Sequence, residues 1–181
     1  YELEQGKYPK MAYKLNEKVL QPQAIKKTSV KLPDAAFHES TIVTLKYYAL
    51  NGYPQFMDTA IFIQKVRDWF NNINIKSIYY GQHKRDDIRN PMRREAVNND
   101  LSFMEDCALW LKKWQTMGAL SKGLSKDTFH CATLTCTAFA ALVKYLFDCY
   151  PLFNYILLGN LCSDYLEGGF GWYRQLCEGN Y

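Results

Sequence analysis

The stretch Asp127-Thr-Phe-His-Cys-Ala-Thr-Leu-Thr-Cys-Thr-Ala-Phe-Ala-Ala-Leu-Val-Lys-Tyr-Leu-Phe-Asp-Cys149 decides the fold class. Apolar side chains recur along it at spacings of three and four and lie on several of its sides. That pattern predicts a long helix at the centre of a hydrophobic core. Pro151 prevents its continuation.

The same period recurs on both sides of this stretch. Upstream, Asn99 or Asp100 can cap a helix reaching about residue 117, with Leu101, Met104, Ala108 and Leu111 on its apolar face. Gly118 and Gly123 bracket the loop between the two helices. An amphipathic helix is expected over 57–74, where Phe62, Val66, Trp69 or Phe70, and Ile73 make the stripe. Another is expected over 33–51, with Ile42, Leu45 and Ala49 on one face, Gly52 as its stop and Pro54 beyond. Downstream, Tyr155-Ile-Leu-Leu reads as a strand or a buried turn, and Ser163 as the cap of a last helix reaching Leu176. Residues 1–31 read as a basic loop with a short helix near Pro22. Residues 75–98 are the least regular. No strand alternation of useful length is present, so the expected fold class is mainly α.

With 48% hydrophobic and 22% charged residues among 181, the chain can bury a core and is not disordered. A net charge of +4 permits a nucleic-acid partner without demanding one. No signal-peptide pattern follows Tyr1, and the absence of an initiator Met suggests an internal piece of a longer protein. The most apolar run, 138–147, is interrupted by Lys144 and falls short of the ~20 residues of a membrane span, so no membrane partner is expected. The six cysteines form no Cys-x-x-Cys pair and the histidines do not cluster with them, which argues against a zinc site. Most lie in helical apolar patterns and are expected to be buried free thiols, which favours a nuclear or cytosolic compartment. No phosphate loop and no dinucleotide fingerprint occur; Gly168-Gly169-Phe170-Gly171 is too short and falls within the last helix. Lys84, Arg85, Arg89, Arg93 and Arg94 form the best internal candidate for contact with a phosphate backbone, although an exposed loop with interspersed acids is the favoured reading.

The most informative run is Leu161-Cys-Ser-Asp-Tyr-Leu-Glu-Gly-Gly-Phe-Gly-Trp-Tyr-Arg-Gln-Leu-Cys-Glu-Gly-Asn-Tyr181. Asp164 and Glu167 are three apart and share a helix face in the first turn, where the helix dipole favours carboxylates. Spacing alone favours an ordinary acidic first turn over a metal or ligand site.

This run, with Gly123-Leu-Ser-Lys-Asp-Thr-Phe and Leu142-Val-Lys-Tyr-Leu before it, resembles the P element family of eukaryotic cut-and-paste transposases, including the THAP-domain transposases. Ser163, Asp164, Leu166, Glu167, Phe170, Gly171, Tyr173, Arg174, Gln175, Leu176, Gly179, Asn180 and Tyr181 match the family pattern. Tyr13-Lys-Leu-Asn-Glu-Lys-Val-Leu, Ser29-Val-Lys-Leu and Trp69-Phe-Asn-Asn-Ile-Asn resemble, more loosely, parts of the family's GTP-binding insertion domain.

The resemblance implies an irregular multi-helix insertion domain over 1–155, followed over 156–181 by the last helix of an RNase H-like catalytic domain. It implies that Glu167 is the third member of an Asp-Asp-Glu triad binding Mg²⁺, a hard cation that prefers oxygen ligands. The two aspartates are expected upstream of Tyr1, so the chain alone is expected not to cut DNA. Asp164, Lys14, Val30, Lys31, Phe70, Asn71 and Asn74 fall where the family contacts GTP, a positioning cofactor expected to bind without turnover. Lysine suits phosphate, and an aromatic ring can stack on guanine. A solvated lysine and simple core packing are equally good readings of Lys14 and Phe70. The implied partners are transposon-end DNA and further copies of the parent protein, in the nucleus. Two departures stand out: Asn71 replaces an aspartate, and Gly168-Gly169 replaces a commonly polar or basic pair. They motivate an alternative, a domesticated non-catalytic derivative that binds DNA or a protein partner. A third reading is a helical scaffold without a ligand.

Overall fold

A computed structural model of the chain describes residues 2–23, 31–116 and 124–176. Two compact units are present, Tyr1–Phe70 and Asn71–Tyr181. The fold is mainly α, as the sequence predicts, with a single pair of two-residue strands among the described residues.

The first unit carries α1 (Glu17–Leu20), α2 (Lys31–Ala36), α3 (Glu39–Leu50) and α4 (Phe56–Ile73), the last running through the unit boundary. Where the sequence predicts one helix over 33–51, the chain breaks at Phe37 and His38. His38 is extended, and its imidazole accepts the Ser40 N–H at 3.2 Å, capping α3. Histidine is not a customary N-cap, so apolar periodicity runs straight through this break. Pro22 likewise follows α1 instead of opening a helix. Gly52 adopts φ +100 and ends α3 as expected. The carboxylate of buried Glu4 accepts the Met11 and Ala12 N–H groups at 3.1 and 3.0 Å, which fastens the N-terminal turn. Ile42 and Ala60 are fully buried, and Arg67 Nη1 donates to the Phe37 carbonyl at 3.0 Å.

The second unit carries α5 (Tyr80–Lys84), β1 (Met92–Arg93), α6 (Val97–Thr116), α7 (Lys126–Cys149), β2 (Tyr155–Ile156) and α8 (Asp164–Leu176). Helices α6 and α7 pack on each other. Met104, Cys107, Ala108 and Leu111 on α6 are buried, as are Cys136, Val143 and Phe147 on α7. Ser125 caps α7 by accepting the Thr128 N–H at 3.2 Å.

Helix α7 is not the enclosed core helix that its all-round apolar composition suggests. One stripe is buried, while Leu134 and Tyr145 are 54% and 57% exposed. Its 24 residues are also long and apolar enough to cross a membrane by length and composition, so the shorter run counted from sequence understates it. The expectation of buried thiols holds for Cys107 and Cys136 but not for Cys131 and Cys149, which are exposed on α7; Cys177 lies outside the described residues.

The irregular stretch 75–98 is folded, but by polar bonds more than by apolar periodicity. Asp86 accepts the Ile88 N–H at 3.2 Å and pairs with Arg89 at 2.9 Å, and Arg85 takes the left-handed φ of 51°. Strands β1 and β2 then pair antiparallel, Met92 with Ile156 and Arg93 with Tyr155. Met92 and Ile156 are buried at this joint, and Ile75 and Leu158 are buried as well.

Candidate functional site

Helix α8 presents Glu167. The chain enters it through Ser163, whose carbonyl accepts the Glu167 N–H at 2.9 Å. The Ser163 hydroxyl donates to Glu167 Oε1 at 2.5 Å. The serine expected as a helix cap therefore bonds the carboxylate itself, fixing its direction. The Glu167 side chain is exposed, and one hydroxyl leaves most of its lone pairs open to a cation. Among the described residues, no three metal-binding side chains converge. Helix α8 starts at Asp164, whose side chain lies outside the described residues.

Beyond Glu167, α8 exposes Phe170, Trp172, Tyr173 and Leu176 by 57–61% each. Large apolar side chains are rarely left out of water-free contacts in such a concentrated set. This helix has the composition of a packed element, yet these four side chains are exposed. Gly168 and Gly169 have nothing within 4 Å of an added Cβ, so no close approach requires glycine there. Alanine at either position should slow hydrogen exchange of the α8 amides about fivefold, corresponding to the ~1 kcal/mol helix penalty of glycine. Unchanged exchange would show that α8 is already held by something other than its own helix.

The remaining candidates are spread over both units. In the first, Lys14 is exposed, with Nζ 5.7 Å from the Tyr13 ring centroid. Lys31 is the exposed first residue of α2, and Phe70 is 41% exposed, which argues against the core-packing reading of that ring. Val30 lies outside the described residues. In the second unit, Asn71 is half-buried and Asn74 exposed, one helical turn apart. Between them, Asn72 is buried; its Nδ2 donates to the Ile88 carbonyl at 3.4 Å while Oδ1 has no partner among the described residues. Gly159 abuts the backbone of 74–76, donating to the Ile75 carbonyl at 2.9 Å. Asn74 thus lies against the turn that leads into α8 and Asp164. A cavity of about 520 Å³ in the first unit, lined by Glu4, Ala12, Leu15, Thr41, Leu45 and Tyr48 among others, includes none of these candidates.

The basic loop is altered by its folded context. Arg94 donates to three main-chain carbonyls and Arg89 is engaged by Asp86 and Tyr80, whereas Lys84, Arg85 and Arg93 are exposed. Sequence gives no hint of Arg94's task, because its acceptors lie more than fifty residues away.

No family model matches the sequence, and no curated protein matches it. Among solved structures, the fold is similar to that of the Drosophila P element transposase strand transfer complex, with a TM-score of 0.70 over 91% of this chain at 21% identity. This chain spans 36% of the length of that one.

Proposed function

We propose that the chain is a piece of a cut-and-paste DNA transposase of the P element kind. In this reading, residues 1–155 form a GTP-binding insertion domain and residues 156–181 belong to an RNase H-like catalytic domain. The supporting observation is the fold likeness over 91% of the chain, joined to the position of Glu167 on a helix whose aromatic face is uncovered. A missing layer of catalytic domain accounts for such a face.

Glu167 suits one corner of a divalent-metal site, since its carboxylate is exposed and oriented by Ser163. In this reading the other ligands belong to the rest of the parent protein, the chain alone is expected not to cut DNA, and no chemical step is assigned to it. Mg²⁺ would supply charge neutralisation at a transferring phosphoryl group.

For the nucleotide, Lys14 and Lys31 are the phosphate contacts, Val30 and Phe70 pack on the guanine, and Asn71, Asn74 and Asp164 provide the polar contacts. GTP positions the assembly and is not spent, because the chain has no phosphate loop. The parent acts in the nucleus on transposon-end DNA as an oligomer. Asn71, Gly168 and Gly169 favour a second reading, a domesticated derivative that has kept the fold and lost cleavage.

Calorimetric titration of the chain with GTP, GDP and ATP tests the proposal. Guanine nucleotides should bind without phosphate release, and Lys14→Ala should weaken GTP about tenfold, the loss of one phosphate contact. Equal silence from all three nucleotides would support the scaffold.

A further inference from the structure

We propose that the cavity in the first unit binds a small apolar amine, at a site independent of the nucleotide reading above. The cavity measures about 520 Å³, within the range of small-molecule pockets. Leu15, Leu20 and Leu45 give it an aliphatic wall, and Tyr48 and Phe56 an aromatic one. Tyr53 holds both of these rings. It meets Tyr48 edge-on at 6.1 Å between centroids and stacks on Phe56 at 5.6 Å with planes 9° apart.

One buried hydroxyl in this lining is left without a bond. Thr41 is 4% exposed, and its Oγ1 has no partner among the described residues. A threonine inside a helix can donate back one turn, as Thr44 does to the Ser40 carbonyl at 2.7 Å. For Thr41 that acceptor would be the Phe37 carbonyl. It lies before the break at His38 and already accepts Arg67 Nη1 at 3.0 Å. Burying an unbonded hydroxyl is costly, so a ligand that bonds it gains what the fold leaves unmade.

The charged part of the lining decides the sign of that ligand. Glu2, Glu4 and Glu17 contribute carboxylates, and among the described residues no lysine, arginine or histidine lines the cavity. Glu4 is buried, its oxygens accepting the Met11 and Ala12 N–H groups at 3.1 and 3.0 Å. Lys7 bonds the Tyr48 hydroxyl at 3.3 Å but is not part of the lining. Carboxylates accept and do not donate, so this lining repels a phosphate or a carboxylate and attracts an ammonium. Aromatic faces attract a cation as well. The apolar walls take the body of the molecule, and the Thr41 hydroxyl accepts from its N–H.

The test titrates the whole chain with tryptamine, tryptophol and indoleacetate, which share a ring system and differ in side-chain charge. Binding is read by calorimetry and by NMR of the backbone amides. Tryptamine should bind and move the Leu15, Thr41 and Leu45 amides. Tryptophol should bind about fivefold more weakly, and indoleacetate not detectably. Thr41→Val keeps the shape of the side chain and removes the hydroxyl. It should weaken tryptamine about fivefold while the melting temperature holds or rises, since an unpaired buried group is lost. Four results would each overturn the inference: no tryptamine binding up to millimolar concentration, shifts confined to other amides, tryptophol or indoleacetate binding as tightly as tryptamine, or undiminished tryptamine binding by Thr41→Val. None of them touches the nucleotide reading, which stands or falls on the GTP titration.

Discussion

Gly159→Ala should lower the stability of the second unit by about 3 kcal/mol, a fall in melting temperature of roughly 6–12 °C. A Cβ at this position would lie 2.7 Å from the Asn74 carbonyl carbon and 2.7 Å from Lys76 Cγ, and 2.8 Å from the Ile75 carbonyl oxygen. The lysine stem can swing away, but the two main-chain atoms belong to the segment that closes on Gly159 through the Ile75 hydrogen bond. Relief therefore needs separation of the two backbones. That movement would strain the bond and loosen the buried neighbours Ile75 and Leu158, each 1% exposed. The positive φ that usually explains a required glycine is absent here, so the effect is one of space alone. Gly168→Ala, nine residues on and with open surroundings, should act in the opposite direction. In the nucleotide reading, Gly159→Ala should also weaken GTP binding, since it displaces Asn74 and the entry to α8 together. A melting temperature within a degree of the unaltered chain would refute the close approach.

Those two glycines show where sequence suffices and where it fails. The apolar stripe of α6 is legible because a 3.6-residue period needs only one covered face, and Met104, Ala108 and Leu111 supply it. The same rule overstates α7, because apolar residues on every side say nothing about which side is covered. The break at His38 escapes the rule, since an imidazole cap carries no apolar signal. The folding of 75–98 escapes it too, because Asp86, Arg89 and Asn90 bond locally through side chains whose donors and acceptors have no period.

The site divides in the same way. Glu167 stands out in sequence through the density of matched positions around it, although spacing alone gives only an acidic first turn. Its bond to Ser163 and the uncovered aromatic face of α8 come from the structure. The contacts around His38 could not be found from sequence, because Tyr13 meets its ring and Arg67 reaches the Phe37 carbonyl from distant parts of the chain.

Arg94→Ala should cost about 3 kcal/mol, and Arg94→Lys about 2, whereas the adjacent Arg93→Ala should stay within about 0.5. The end of α7 leaves carbonyls without intrahelical partners, and the helix dipole makes that end attractive to a cation. Arg94 meets both demands at once. Its Nη1 donates to the Phe147 carbonyl at 2.6 Å, Nη2 to Tyr150 at 2.7 Å and Nε to Phe153 at 3.1 Å. The guanidinium also stands 5.0 Å from the Phe147 ring centroid. A charged donor on a neutral acceptor is worth about 1.5–3 kcal/mol when sheltered. Arg94 is only half-buried and its three bonds share one side chain, so their sum is discounted to about 3. Lysine keeps the charge but cannot reach three carbonyls from one fixed plane. Arg93 has a single ion pair, 3.6 Å to Glu95, with its side chain 49% exposed, and such pairs add little. The contrast separates two roles that sequence merges, since both arginines belong to the loop that suggests phosphate contact. If the loop touches DNA, Arg93→Glu should reduce affinity and flatten its salt dependence while the melting temperature holds. Arg94→Ala should instead lower the melting temperature whether or not DNA is present. Equal melting temperatures for Arg93→Ala and Arg94→Ala would show that the carbonyl clamp contributes nothing to stability.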